Sequence, residues 1–184
     1  MKPEAMGQRA SIKPEAMGQR TSIQLEATSM AESALQMACL AAHGRLYGVD
    51  VSDVREIVRS QDLTPLPKAP KLIEGVIDLR GAMMPVVDLG RALEQEPLSE
   101  SSHMRIVVLE VSEMTFGLRV EAAVDIVSVQ PGDLCEPPAL AMHTGYDAIR
   151  AVVRRAGAPP VLILSLDHLL ESIFVSAVSQ RGDS

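Results

Sequence analysis

From Leu35 onward the chain is a succession of short apolar runs, roughly ten residues apart and separated by glycine, proline and polar turns. That pattern argues for an all-β barrel or sandwich. LQMACLAAHGRLYGVDV (35–51) reads as two strands around a turn at Gly44. In VSDVREIVRS (51–60), Val51, Val54 and Val58 fit a helical face, whereas Val54, Glu56 and Val58 fit one side of a strand. A helical turn near Ser52 and Asp53 followed by a strand over 54–59 is expected. Three prolines make TPLPKAPKLIEG (64–75) a loop, expected to end in one helical turn closed by Gly75. GVIDLRGAMMPVVDL (75–89) then gives two strands around Gly81, with Pro85 pushing the second toward a sheet edge or a strand start.

Beyond the polar stretch EQEPLSESSH (94–103), MRIVVLEV and MTFGLRV predict a hairpin turning at Ser112 and Glu113, and AAVDIVSV (122–129) a further strand. Residues 130–147 form a long proline-containing loop, of a length that often carries function. A last strand pair surrounds Ala156 and Gly157, and a short helix runs from Asp167 to Phe174 with Ser165 as candidate N-cap. The expected architecture is two small barrels over 34–174, divided near 94–103. Ahead of them, 1–33 is expected to be a flexible leader, in which KPEAMGQRASI (2–12) is followed at once by KPEAMGQRTSI (13–23), a repeat too short to stack as a solenoid. Residues 175–184 are a polar tail.

Composition narrows the function. Apolar residues make up 47% of the chain, enough for a core, but aromatics only 2%, so stacking platforms for single-stranded nucleic acid are missing. The net charge of −7 speaks against a nucleic-acid or anionic-lipid footprint. No secretory signal and no apolar run of membrane-spanning length is evident. Cys39 and Cys135 lack metal-ligand spacing and are expected to be free thiols. His43, His103, His143 and His168 form no metal-ligand pattern, and no nucleophile elbow, P-loop or dinucleotide fingerprint occurs. An enzyme is not supported, and no cofactor or metal is expected.

The remaining signal is charge inside apolar strands. Strand alternation turns Ile77 and Leu79 toward a core and places Asp78 and Arg80 side by side on the outer face. By composition alone, that is an ordinary solvated face of a half-buried strand.

The residues around it carry more. GVIDLRGAMMPVVDL resembles the G-V-x-N-L-R-G-x-x-x-P-V-x-D-L signature of CheW-like domains, the coupling proteins of bacterial chemosensory arrays. YGVDVSDVREIVR resembles the family's Y-G-I-x-I-x-x-V-x-E-I segment, and LTPLPKAPKLIEGV its T-P-L-P loop. RIVVLEVSEMTFGLRVEAAVDIVSV and VLILSLDHLL resemble its later strands and closing helix, so the resemblance covers 35–173. It implies two five-stranded SH3-like β-barrels with a short C-terminal helix. It also implies a cytoplasmic, non-catalytic adaptor, recruited to membrane-associated receptor arrays. Its partners would be the regulatory domain of a CheA-type histidine kinase and the cytoplasmic tip of a methyl-accepting chemoreceptor, with no nucleic acid, no membrane insertion and a monomeric free state.

Carried over by motif, Glu56 and Arg80 are expected to face each other on the first barrel and present a pre-set guanidinium fork to a partner. Val54 would add apolar contact on the same face, and Gly75 and Gly81 would allow the tight backbone on either side of the strand. Ile106, Gly117 and Ile126 match positions near a groove between the barrels, where a helical receptor tip would lay its apolar side. Core packing is the alternative for Ile106 and Ile126. The sequence departs from the signature where Asp78 replaces asparagine, where Glu121-Ala122 replaces D-G, and where Ala151 replaces a glycine. Asp78 is expected to compete with Glu56 for Arg80 and retune partner choice. A coupler of a non-flagellar pathway, or one that binds the kinase but no receptor, keeps the same fold. A small-molecule-binding or catalytic barrel would instead need a deep pocket with convergent polar groups.

Overall fold

The computed structural model describes residues 34–94, 96–137 and 148–179, with side chains to 173. The leader repeat, residues 138–147 of the long loop and the end of the tail lie outside these residues. The first hairpin is β1 (Leu35–Ala42) and β2 (Arg45–Asp50), followed by a 3-10 turn over Val51–Asp53 and β3 (Val54–Arg59). Next come β4 (Ile73–Leu79), β5 (Ala82–Asp88) and helix α1 (Leu89–Glu94). The second half repeats the sequence of hairpin, strand, hairpin and helix, with its 3-10 turn after the lone strand rather than before it. Hairpin β6 (Arg105–Val111) and β7 (Met114–Val120) leads to β8 (Ala122–Val129), a 3-10 turn, and β9 (Leu134–Cys135). Hairpin β10 (Ile149–Arg155) and β11 (Ala158–Leu164) then precedes helix α2 (Leu166–Ser179). The closing helix is longer than the sequence predicts and takes in residues assigned above to the tail. No helix forms over 64–72, and Gly75 lies inside β4.

The strands form two sheets, ordered β3-β6-β7-β5-β4 and β8-β1-β2-β11-β10-β9. The barrels are therefore not divided at 94–103. Hairpin β6–β7 completes the barrel begun by β3, β4 and β5, and hairpin β1–β2 completes the one built from β8 to β11. Each half of the chain lends its first hairpin to the other half. Both barrels close alike. Thr64 exchanges two backbone hydrogen bonds of 2.9 Å with Val76, tying the chain after β3 to β4. In the other barrel β9 follows β8 and pairs with β10, Cys135 opposite Val152. We call these the first barrel (β3–β7) and the second barrel (β1, β2, β8–β11).

This exchange explains the apolar runs. On β6, Ile106 and Val108 point into the first barrel with Ile77, Met84 and Val86, while Val107 and Leu109 point into a large shared core. On β1, Met37 and Cys39 fill the second barrel, while Ala38, Leu40 and Ala42 join the same shared core. Both strands are buried on two faces, so they read as continuous apolar stretches rather than alternating ones. The shared core, with Tyr47, Phe116 and Leu118 among its residues, welds the barrels. α2 adds Leu166, Leu169, Leu170 and Ile173 to it.

Among the described residues, two charged ones are buried. The Asp88 carboxylate accepts hydrogen bonds from the Arg91 and Leu98 amides, capping α1 and fastening the polar linker. Arg119 pairs with Glu74 and with Glu100 of that linker. Burial alone would lower the Arg119 pKa, but its hydrogen bonds and charge pairing with these two carboxylates hold it above its ordinary value. The linker is thus anchored near its middle, at Leu98 and Glu100. Pro85 sits within β5, an interior strand, contrary to the edge expected. It pairs with Val76 of β4, and the parallel ladder with β7 starts one residue later, at Val86. Cys39 and Cys135 are free thiols, and burial raises the Cys39 pKa. Among the described residues, no helix is long and apolar enough to cross a membrane.

Candidate functional site

The ion pair anticipated on the first barrel is present. Arg80 Nη2 donates to Glu56 Oε2 at 2.8 Å, with the Arg80 side chain 78% exposed and Glu56 27% exposed. Arg80 is not a strand residue. It occupies the β4–β5 turn with φ 56°, followed by Gly81 at φ 86°, so strand alternation ends at Leu79. Positive φ at both central positions is the hairpin geometry that matches strand twist, and Gly81 adopts it without strain.

Asp78 stabilises that turn. Its Oδ1 accepts the Gly81 amide at 2.7 Å. The carboxylate is thereby engaged by backbone, and the fork of Arg80 goes to Glu56 rather than to Asp78. The competition expected between the two acids does not occur in this geometry. An asparagine side-chain oxygen accepts the same bond, which is the physical reason either residue suits the position.

Val54 is placed differently from expectation. A register irregularity between Val54 and Glu56 sets them against Leu109 and Val108. Val54 packs on the shared core and lines an apolar cleft with Val51, Ile57, Ala123, Val124 and Ile126. The cleft runs between β3 of one barrel and β8 of the other and measures about 240 Å³. Its outer residues are unusually bare for large aliphatics: Val124 is 56% and Ile126 59% exposed.

Ile126 therefore belongs to the accessible surface, whereas Ile106 does not. Ile106 is fully buried inside the first barrel, and the core alternative holds for it. Gly117 is buried with it. A Cβ there would lie 2.7 Å from Ile106 Cγ2. Gly75 is likewise internal: a Cβ would lie 2.8 Å from the Thr64 carbonyl oxygen, where the closing segment crosses β4. These three residues are buried and build the barrel rather than its surface.

Sequence reasoning missed Ile57 and Val124. A signal was present: VREIV (54–58) and the segment AVDIV (123–127) are two copies of one pattern in the two halves. Each has a register irregularity near its start, so the residue before it does not follow simple alternation with those after it.

Among the described residues, no group of three or more His, Cys, Asp or Glu is placed to hold a metal ion. Asp53, beside the second barrel's end, has its carboxyl pKa raised by burial and by the nearby Asp50, against an opposing pull from Arg150.

Comparison with known proteins agrees with this geometry. The family model described as CheW-like domain matches residues 36–174. A chemotaxis protein CheW of Treponema pallidum is 28% identical over 145 residues, spanning 77% of this chain and 85% of that protein. One from Rhizobium meliloti is 32% identical over 126 residues, spanning 68% and 81%. The crystal structure of the scaffolding protein TtCheW from Thermoanaerobacter tengcongensis superposes with a TM-score of 0.67 at 26% identity, covering 74% of this chain and 87% of that one. With both barrels, the turn-borne arginine and its glutamate inside the matched region, the chain belongs to the CheW-like family of chemotaxis coupling proteins.

Proposed function

We propose that this chain couples chemoreceptors to a histidine kinase without catalysis of its own, using two separate surfaces. The Glu56–Arg80 face receives the kinase regulatory domain. The cleft carrying Ile57, Val124 and Ile126 receives the apolar side of the helical receptor tip. The free protein is a monomer and joins arrays only through these partners.

The observation that carries this reading is the Arg80–Glu56 pair. A pair so exposed contributes only about 0–1 kcal/mol to folding, so stability gives little reason to hold it. Fixed by the turn and by one hydrogen bond, the guanidinium presents its remaining donors in a set orientation. A partner carboxylate or carbonyl then meets a fork that needs little further ordering. The cleft supports the second contact: a helix laid between two barrels covers bare aliphatic side chains and gains about 25 cal/mol per Å² of apolar surface removed from water.

Binding of the purified protein to the kinase regulatory domain of its own organism tests this, with Arg80→Ala beside wild type and melting curves on both. Lost kinase binding at a melting temperature within a few degrees is expected. An Ile126→Asp variant should keep kinase binding and lose the receptor tip. Wild-type protein that binds neither partner would sink the reading, and equal binding by Arg80→Ala would remove the kinase from this face.

A further inference from the structure

A second concave surface lies on the first barrel, apart from both sites above. The loop over 66–73 and helix α1 bound a cleft of about 740 Å³. Leu66, Leu72 and Ile73 supply its apolar lining, and Lys68, Lys71 and Arg91 its charge. Among the described residues, no acidic side chain lines it. In a chain of net charge −7 this is a local reversal of sign. Lys68 and Lys71 are the only lysines after Lys13, and both stand here. By contrast, Arg45, Arg55, Arg80 and Arg119 are each paired with a carboxylate. None of the three cations at this cleft has such a partner among the described residues.

The loop is shaped before any partner arrives. The Ala69 amide donates to the Leu66 carbonyl at 3.2 Å, and the Ile73 amide to the Pro70 carbonyl at 2.9 Å, giving two successive turns. Lys68 takes φ 61° within the first. Pro65, Pro67 and Pro70 restrict the backbone on either side. Ordering such a loop on binding costs less entropy than ordering a free one. Leu66 remains 44% exposed at the rim.

We propose that this cleft docks a short acidic segment of a partner protein, with one or two aliphatic side chains on the Leu66–Leu72–Ile73 lining and carboxylates against Lys68, Lys71 and Arg91. Charge complementarity names the chemistry, and the apolar lining distinguishes a peptide from a bare anion. A polyanion or an anionic membrane would have to approach the acidic remainder of the surface as well, whereas a short segment meets only the cleft. The inference does not depend on the kinase or receptor contacts, since it shares no residue with either.

The test uses the full chain and fluorescence anisotropy. The probes are a fluorescein-labelled peptide alternating Glu and Leu, its Gln-for-Glu counterpart, inorganic phosphate as competitor, and phosphatidylcholine vesicles containing phosphatidylserine. The Glu peptide should bind at least about tenfold more tightly than the Gln peptide, and more weakly as salt rises. Lys68→Glu with Lys71→Glu should cost about tenfold or more in affinity. Lys68→Gln with Lys71→Gln serves as the milder pair if the reversal disturbs folding. Arg80→Ala should leave peptide affinity unchanged, which separates failure here from failure of the coupling reading. Equal affinity for both peptides, or unaltered binding by both lysine pairs, overturns the proposal. So does a result in which phosphate or the vesicles bind through the lysines while the Glu peptide does not.

Discussion

The two barrels are built alike and differ where a partner would look. On β7, Gly117 pairs with Val86 of β5, and on β2, Gly48 pairs with Ile163 of β11. An added Cβ at Gly117 meets Ile106, Val86 and Met84; at Gly48 it meets Ile163, Val161 and Met37, the same three positions in the other half. Phe116 and Tyr47, each one residue earlier, both enter the shared core. The closing pairs, Thr64–Val76 and Cys135–Val152, correspond too. Against this constancy, the position of Glu56 is held by Asp125, and that of Arg80 by Ala156. Asp125 accepts its own neighbour's amide, from Ile126, and no arginine stands in the β10–β11 turn. Only Gly157 takes positive φ there. The residues that make a barrel are shared, and the exposed fork is confined to one of them. A feature present in one copy of a repeated scaffold is not needed to build that scaffold, which is the second reason to read the fork as recognition.

Substitutions at matched positions test how alike the two barrels are. The largest effect is expected at Ile106. Its replacement by Ala should cost about 2–5 kcal/mol in denaturant unfolding, against less than about 1 kcal/mol for Ile126→Ala, which loses little buried surface. Comparable losses at both would mean the cleft is closed in solution. Gly75→Ala comes next. The atom in its way is a backbone oxygen, so a cost of about 1–3 kcal/mol is expected. The second barrel carries Ala151 at the matching place, and Ala151→Gly should change stability by no more than about 1 kcal/mol. Similar effects would contradict a tighter closure of the first barrel.

Gly117→Ala should exceed Gly48→Ala. The first pushes against the β-branch methyl of Ile106, the second against the terminal methyl of Ile163, which can rotate away. The reverse order of melting temperatures would refute that account. The smallest effect is at Asp53. Its folded pKa is raised above the unfolded value, so its charged form weakens the fold at neutral pH. That penalty is fully present above the raised pKa and vanishes as pH falls below the unfolded value. Asp53→Asn should therefore melt slightly higher at neutral pH, with the gap to wild type shrinking on acidification. A gap that grows in acid would show that another group controls this end of the molecule.

Local physics was legible in much of the sequence, though not in the helical turn expected before Gly75 or in the length of the closing helix. The Gly44, Gly81, Ser112–Glu113 and Gly157 turns, the 3-10 turn before Val54, and the strands they separate follow from turn chemistry and apolar patterning, which act over a few residues. The Glu56–Arg80 pair was reached through the family signature. Three things were decided only by the tertiary structure. The first is which hairpin completes which barrel: pairing β6 with β3, or β1 with β8, depends on burying both faces of a strand against distant partners, and no local preference encodes that choice. The second is side-chain direction after a register irregularity. One added residue reset the alternation, sent Val54 and Ile57 to the cleft and left Glu56 for Arg80. The third is the fate of like-looking isoleucines. Ile106 and Ile126 sit in equally apolar strands, yet one is enclosed by a barrel and the other lies on its rim, because enclosure depends on what the rest of the chain brings around each strand.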